Sequence, residues 1–249
     1  MIESKLYEVN EKVAEFYNEQ LYKYTKALDY LKIRNINNNM IEEFEIGYAS
    51  QDNSVYEYLK EKGYTEDVIY ASGLIIKTEE GKIVDKFRNR IMFPIKNEDG
   101  QIVALGGRTI DANNMSKYIN TSDNLIYTKA KNLYGINIAK DHITEKLIIV
   151  EGYTDVISLN QIGIKNVVAL LGVAITDEQI QLIKKYTNDV IVVLDSDMAG
   201  QCAAKKVDEK LNAEGIHTRV IFLEDAKDSS EYISKIEKNK FKELINNVD

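Results

Sequence analysis

Leu147-Ile148-Ile149-Val150-Glu151-Gly152-Tyr153-Thr154-Asp155 and Ile191-Val192-Val193-Leu194-Asp195-Ser196-Asp197 share one pattern, a short apolar run that ends in acid. Runs this short, β-branched and free of alternation suit strands buried on both faces. Strands are expected at Lys146–Val150, Asn166–Leu170, Val190–Leu194 and His217–Leu223. Between them lie helical stretches at Tyr153–Gln161, Thr176–Tyr186 and Ala199–Glu214, with Thr176 as N-cap and Gln179 completing a capping box. Strands joined by helices of this length give a mostly parallel sheet with flanking helices, an α/β fold.

Function in such sheets collects at the carboxyl ends of the strands. Glu151 and the Asp195/Asp197 pair both sit at such ends, so their carboxylates are expected on one edge. Converging carboxylates repel one another unless a cation lies among them. An all-oxygen donor set of this kind suits Mg²⁺ or Mn²⁺. The competing explanation is local, since Asp after a strand also caps the helix that follows.

Upstream, apolar residues at Ile2, Leu6, Val9, Val13, Phe16, Tyr17 and Leu21 recur at steps of three and four and predict a long helix. Shorter helices are expected at Thr25–Leu31, Met40–Phe44 and Ser54–Lys60, with a turn at the Asn-rich stretch Asn35–Asn39. Ile91–Ile95 and Ile102–Leu105 flank Asn97-Glu98-Asp99-Gly100, a hairpin signal. Pro94 inside the first of these strands argues for an edge or a bulge. This makes a mixed α+β region before the parallel sheet.

The net charge of −8 is unevenly spread. Residues 1–81 carry 9 Lys/Arg against 16 Asp/Glu, residues 82–140 carry 10 against 5, and residues 141–249 carry 13 against 19. The central stretch is therefore the candidate phosphate-binding region. A single cysteine, Cys202, excludes an internal disulfide and a cysteine-based zinc site within this chain. No run of about 18 apolar residues occurs, so no membrane partner is expected and the cytoplasm is the natural compartment.

Val150-Glu151-Gly152-Tyr153-Thr154-Asp155 together with Asp195-Ser196-Asp197-Met198-Ala199-Gly200 closely resembles the Toprim signature, in the form carried by bacterial DnaG-type primases. Asp85-Lys86-Phe87-Arg88-Asn89-Arg90-Ile91-Met92-Phe93-Pro94-Ile95 resembles the basic motif of the same family. Gly106-Gly107-Arg108, Lys117-Tyr118-Ile119-Asn120 and Leu133-Tyr134-Gly135 follow in the family's order. Phe44-Glu45-Ile46-Gly47-Tyr48-Ala49 and Ala71-Ser72-Gly73-Leu74-Ile75 match its amino-terminal part, so the resemblance covers nearly the whole chain.

The resemblance implies an N-terminal subdomain at 1–144, a Toprim domain at 145–232 and a C-terminal helical segment at 233–249, cut short relative to the family. It implies a primase that makes RNA primers on a single-stranded DNA template from ribonucleoside triphosphates, with both bound in a cleft between the domains. A replicative helicase is a further partner of the family, although the helicase-binding region is absent from this chain. Glu151, Asp195 and Asp197 become the catalytic metal ligands, Asp228 a further ligand and Asp155 an orienting partner. Lys86, Arg88, Arg90, Arg108, Lys117, Tyr118, Asn120 and Lys129 become contacts to nucleic acid or nucleotide.

Two positions depart from the family. Val173 replaces a polar residue after Gly172, and Ser230 stands where a second carboxylate follows Asp228. The second departure implies a weakened second cation site and a need for high Mg²⁺ or for Mn²⁺, unless the nearby Asp225 or Glu231 compensates. It also raises an alternative function, a catalytically impaired Toprim protein that binds nucleic acid or a replication partner in a regulatory role. Toprim-type strand cleavage is a third possibility, but it would leave the basic motif unexplained.

Overall fold

A computed structural model describes residues 2–111, 114–172, 174–223, 226, 228–235 and 238–246; Val173 and Asp225 lie outside them. The chain forms two compact units, Met1–Thr128 and Lys129–Asp249. None of the described helices is long and apolar enough to cross a membrane.

The first unit opens with α1 (Ile2–Leu21), α2 (Thr25–Ile33) and α3 (Asn38–Glu43), followed by strand β1 (Gly47–Ala49). Helices α4 (Ser54–Glu61) and α5 (Glu66–Ala71) lead to a two-stranded ribbon of β2 (Ile75–Lys77) and β3 (Ile83–Asp85). Strands β4 (Arg90–Lys96), β5 (Ile102–Thr109) and β6 (Tyr118–Asn120) complete an antiparallel sheet in the order β1-β4-β5-β6. The expected long helix is α1, whose Leu6, Val9, Val13, Tyr17 and Leu21 are all buried. Pro94 occupies the second strand of the sheet rather than its edge. Its lack of a donor is nevertheless harmless, because β1 pairs β4 only from Arg90 to Met92 and a register shift follows at Ile95/Lys96.

The second unit holds a five-stranded sheet in the order β11-β10-β8-β9-β7, from β7 (Leu133–Tyr134), β8 (Leu147–Val150), β9 (Val167–Leu170), β10 (Asp189–Val193) and β11 (His217–Val220). Four strands are parallel, as expected, while β7 adds antiparallel to β9. Because Leu133 pairs with Leu170, the segment before β8 joins this sheet, and the second compact unit begins at Lys129. Helices α6 (Ile136–Ala139), α7 (Tyr153–Gln161), α8 (Asp177–Lys184) and α9 (Met198–Ala213) connect the strands, and α10 (Ser229–Lys235) and α11 (Lys238–Asn246) follow them. The predicted box at Thr176 is present: Gln179 N–H donates to the Thr176 hydroxyl oxygen at 3.1 Å and Thr176 N–H to the Gln179 side chain at 3.1 Å. Ile149, Val168, Val190 and Val192 pack with Ile180, Ile183, Ala204 and Leu211 in one buried cluster.

Gly47 sets how closely α1 approaches the first sheet. A Cβ there would lie 2.5 Å from Tyr17 Cβ and 2.6 Å from Tyr17 C, the latter backbone that cannot swing aside. Gly47→Ala is expected to lower stability by about 1–3 kcal/mol. Urea unfolding measures this, and an unchanged midpoint would show that α1 has room to move.

Candidate functional site

The carboxyl edge of the second sheet carries the acids. Strand β8 pairs in parallel with β10, Val150 opposite Val193, so Glu151 and Asp195 follow neighbouring strand ends, with Asp195 one residue further along. Asp195 N–H points to Glu151 Oε2 at 3.4 Å. Asp197 is the N-cap of α9, its Oδ1 accepting from Gly200 N–H at 3.0 Å. Asp228 plays the same part for α10, its Oδ1 accepting from Glu231 N–H at 2.7 Å. Ser196 ties the two acidic loops together, its hydroxyl donating to Ala226 O at 2.8 Å.

Asp155 lies beneath these groups, on the buried face of α7. Its Oδ2 accepts from Gly152 N–H at 3.1 Å and its Oδ1 from Ser230 N–H at 3.0 Å, so one carboxyl holds the Glu151 loop and the Asp228 loop at once. Burial, then the charges of Asp228 and Asp195, push this carboxyl up from 3.8 to about 7 against the opposing pull of the two N–H donors. That concentration of negative charge, in an all-oxygen donor set, fits a hard divalent cation. Among the described residues no three acidic side chains yet converge as ligands. The capping explanation thus holds for Asp197 and Asp228, but each cap is made through Oδ1, and a carboxylate has a second oxygen.

Gly200 is required by the same edge. A Cβ on it would lie 2.1 Å from the Asp195 carbonyl oxygen and 2.9 Å from Asp195 Cβ, so α9 starts hard against the residue that carries the acid.

Ser230 lies inside the fold. Its side chain is buried, and Ser158 of α7 donates a hydroxyl hydrogen bond to it at 3.0 Å. Its hydroxyl is thus hydrogen-bonded inside the fold.

In the first unit the basic motif divides. Asp85 is buried and caps α4, accepting from Val55 N–H at 2.8 Å and Tyr56 N–H at 3.0 Å. Burial raises its carboxyl, and the Arg88 charge works in the other direction. Lys86 is half-buried, which lowers its ammonium pKa, and it donates to Ser122 Oγ at 2.7 Å. Arg88 and Arg90 do not share a face as a continuous strand would require, because Asn89 turns the chain at φ 53°. Arg88 stays partly exposed, whereas Arg90 is buried. Arg90 Nη1 donates to the carbonyls of Gly107 (3.2 Å), Ser116 (3.0 Å) and Lys117 (3.2 Å), and so pins the segment before β6 to β5.

Cross-strand pairs Arg108↔Tyr118 and Gly106↔Asn120 place Arg108, Tyr118 and Asn120 on one face of the antiparallel sheet. Arg108 Nη1 donates to Tyr118 OH at 2.7 Å, and the guanidinium lies 5.1 Å from the Tyr118 ring and 5.8 Å from that of Tyr30. Arg34 lies 5.6 Å from the same Tyr30 ring. Tyr30 and Arg34 were not among the expected residues. Their signal is an aromatic and a base four apart at the end of α2, Tyr30 in its last turn and Arg34 as its C-cap, a spacing that puts them on one side. Lys117 is exposed before β6. Lys129 starts the second unit, and a Cβ on Gly172 would lie 3.2 Å from its Nζ, so the glycine leaves room for the amine.

A family model described as the N-terminal domain of the DNA primase catalytic core matches residues 16–140, and a Toprim-like model matches residues 148–233. The chain belongs to the bacterial-type DNA primase catalytic cores. It is 39% identical over 246 residues to a DNA primase of Clostridium acetobutylicum, covering 98% of this chain and 41% of that protein. A crystal structure of the Aquifex aeolicus primase zinc-binding and RNA polymerase domains superposes with a TM-score of 0.91 at 33% identity, over 99% of this chain and 61% of that one. A DnaG primase catalytic domain bound to single-stranded DNA gives 0.86 at 32% identity, over 98% of this chain and 81% of that one. The chain spans less than half the length of the curated relatives it matches, 41% of the Clostridium protein and 49% of the Aquifex one.

The raised Asp155 carboxyl has a consequence for stability. The folded state keeps a proton that the unfolded state loses near pH 4, so in ion-free protein the stabilisation is complete below that pH. It is lost as pH rises through about 7. Between about pH 5 and 7 the melting temperature in EDTA is expected to fall more steeply for the wild type than for Asp155→Asn, whatever the variant's absolute stability. Parallel curves would show that Asp155 titrates normally.

Proposed function

We propose that this primase core synthesises short RNA primers on single-stranded DNA from ribonucleoside triphosphates. The observation that carries the reading is the β8–β10 register, which sets Glu151 beside Asp195 at the edge where Asp197 and Asp228 also begin helices. Glu151, Asp195 and Asp197 would hold the catalytic Mg²⁺ or Mn²⁺, with Asp228 as a further ligand. When bound, the ion offsets charge on the transferring phosphate and makes a 3′-hydroxyl more acidic. The protein's own groups aim that edge: Asp155 clamps two of its loops, Ser196 joins two, and Gly200 seats α9 against Asp195.

In the same reading, the face bearing Arg108, Tyr118 and Asn120, with Tyr30 and Arg34 beside it, takes the template strand. Guanidinium groups on aromatic rings suit a chain of phosphates and unstacked bases. Lys86, Arg88, Lys117 and Lys129 supply further charge for phosphate, and Arg90 holds the Lys117 segment in place. In the longer relatives other segments accompany such a core, and a replicative helicase is the partner proposed for the whole protein.

Incubation with single-stranded DNA, the four ribonucleotides and Mg²⁺ or Mn²⁺ tests the reading directly. Primers are expected; binding without product would favour the regulatory alternative, and shortened DNA would favour strand cleavage. Asp195→Asn removes charge at nearly constant volume. It should cut primer synthesis by more than the ~10–100-fold typical of a supporting group, and abolish most of the thermal stabilisation given by Mn²⁺. Equal Mn²⁺ shifts in both proteins would remove Asp195 from the ion site.

The template face makes its own prediction. Arg34→Ala combined with Lys117→Ala should weaken single-stranded DNA binding and flatten the plot of log affinity against log salt by about 0.7 per lost phosphate contact. A slope equal to that of the wild type would place the strand elsewhere.

A further inference from the structure

The buried hydroxyl pair between α7 and the start of α10 is not used by the chemistry proposed above, yet it joins the element after Glu151 to the element after Asp228. Ser158 and Ser230, 72 residues apart, share a hydroxyl–hydroxyl hydrogen bond of 3.0 Å, and both side chains are buried. One turn earlier on α7, Asp155 accepts the Ser230 N–H at 3.0 Å. Ser230 is therefore held twice, by backbone and by side chain, only two residues past Asp228. Asp228 is in turn fixed to the same helix start, through the Glu231 N–H at 2.7 Å.

We propose that Ser158 and Ser230 are positioning residues, a neutral buried pair that locks the Asp228 loop onto α7 and so sets where the Asp228 carboxylate stands. The inference rests on the reading of Glu151, Asp195, Asp197 and Asp228 as an ion site, and it assigns Ser230 to the support of that site rather than to its ligands. Removing one hydroxyl leaves the other buried without a partner, which costs more than removing both. The first turn of α10 then relaxes, and Asp228 moves with it. A carboxylate at position 230 would have to enter the buried place of the Ser230 hydroxyl, against Ser158 and the Asp155 side chain that accepts its N–H. Adding an acid there loosens the loop instead of adding a ligand.

The test uses the whole chain without nucleotides or DNA, so that activity is not the readout. Mn²⁺ affinity is measured by electron paramagnetic resonance, and stability by melting in EDTA. Ser158→Ala, a change at a residue that touches no proposed ligand, should raise the Mn²⁺ dissociation constant on the order of 10-fold. Ser230→Ala should do the same. In EDTA the double variant should melt no lower than the weaker single variant, the non-additivity expected of two groups that serve only each other. Ser230→Asp should lower the melting temperature and leave Mn²⁺ binding weaker than in the wild type.

Unchanged Mn²⁺ affinity in Ser158→Ala overturns the proposal, as does tighter binding in Ser230→Asp or additive melting losses in the double variant. Wild-type protein that binds no Mn²⁺ would instead overturn the ion site itself, and the positioning role with it.

Discussion

Val150 lies opposite Val193 across two parallel strands, and the candidate site depends on that register. A slip of one residue would turn each β8 side chain to the other face of the sheet and separate Glu151 from the end of β10. The register is set by burial. Leu147 to Val150 and Val190 to Val193 are buried on both faces of a sheet covered by helices, so a shifted pairing would force apolar side chains out of contact. The acids can gather at this edge only because the strands beneath them cannot move.

Gathering them has an electrostatic cost, and the fold meets it with backbone donors before any cation is considered. Gly152 and Ser230 N–H groups serve Asp155, Gly200 N–H serves Asp197, and Glu231 N–H serves Asp228. At Asp197 and Asp228 the donors are N–H groups of helix first turns, which favour negative charge. The capping oxygen of each fixes the direction in which its carboxylate points. Asp155 differs because it is buried between the loops: that burial first, and then the charges of Asp228 and Asp195, raise its carboxyl.

The first unit handles its charges by the same division between buried support and exposed contact. Asp85 and Arg90 bracket the basic motif and are both buried, one on the N-terminus of α4 and the other on three carbonyls of the β5–β6 connection. Lys86 and Arg88 between them keep access to solvent. A guanidinium satisfied by carbonyls is as much a part of the fold as a hydrophobic side chain. Losing it would free the segment that leads to Lys117 and Tyr118.

The amino-acid sequence alone determined the long helix α1, the parallel strands with their connecting helices, the Thr176 box and the acids Glu151, Asp195, Asp197 and Asp228 at strand and helix ends. Those features are local: hydrophobic period, turn residues and caps are written within a few residues of where they act. The two-residue strand β7 carried no such signal, since Leu133–Tyr134 is a strand only because Leu170 and Ala169 lie beside it. Whether Arg90 faced outward, whether Tyr30 met Arg108, and whether Ser230 met Ser158 were likewise decided by tertiary structure. Each depends on a partner between 17 and 78 residues away, and side-chain type and spacing do not encode which of several polar partners a folded chain will supply.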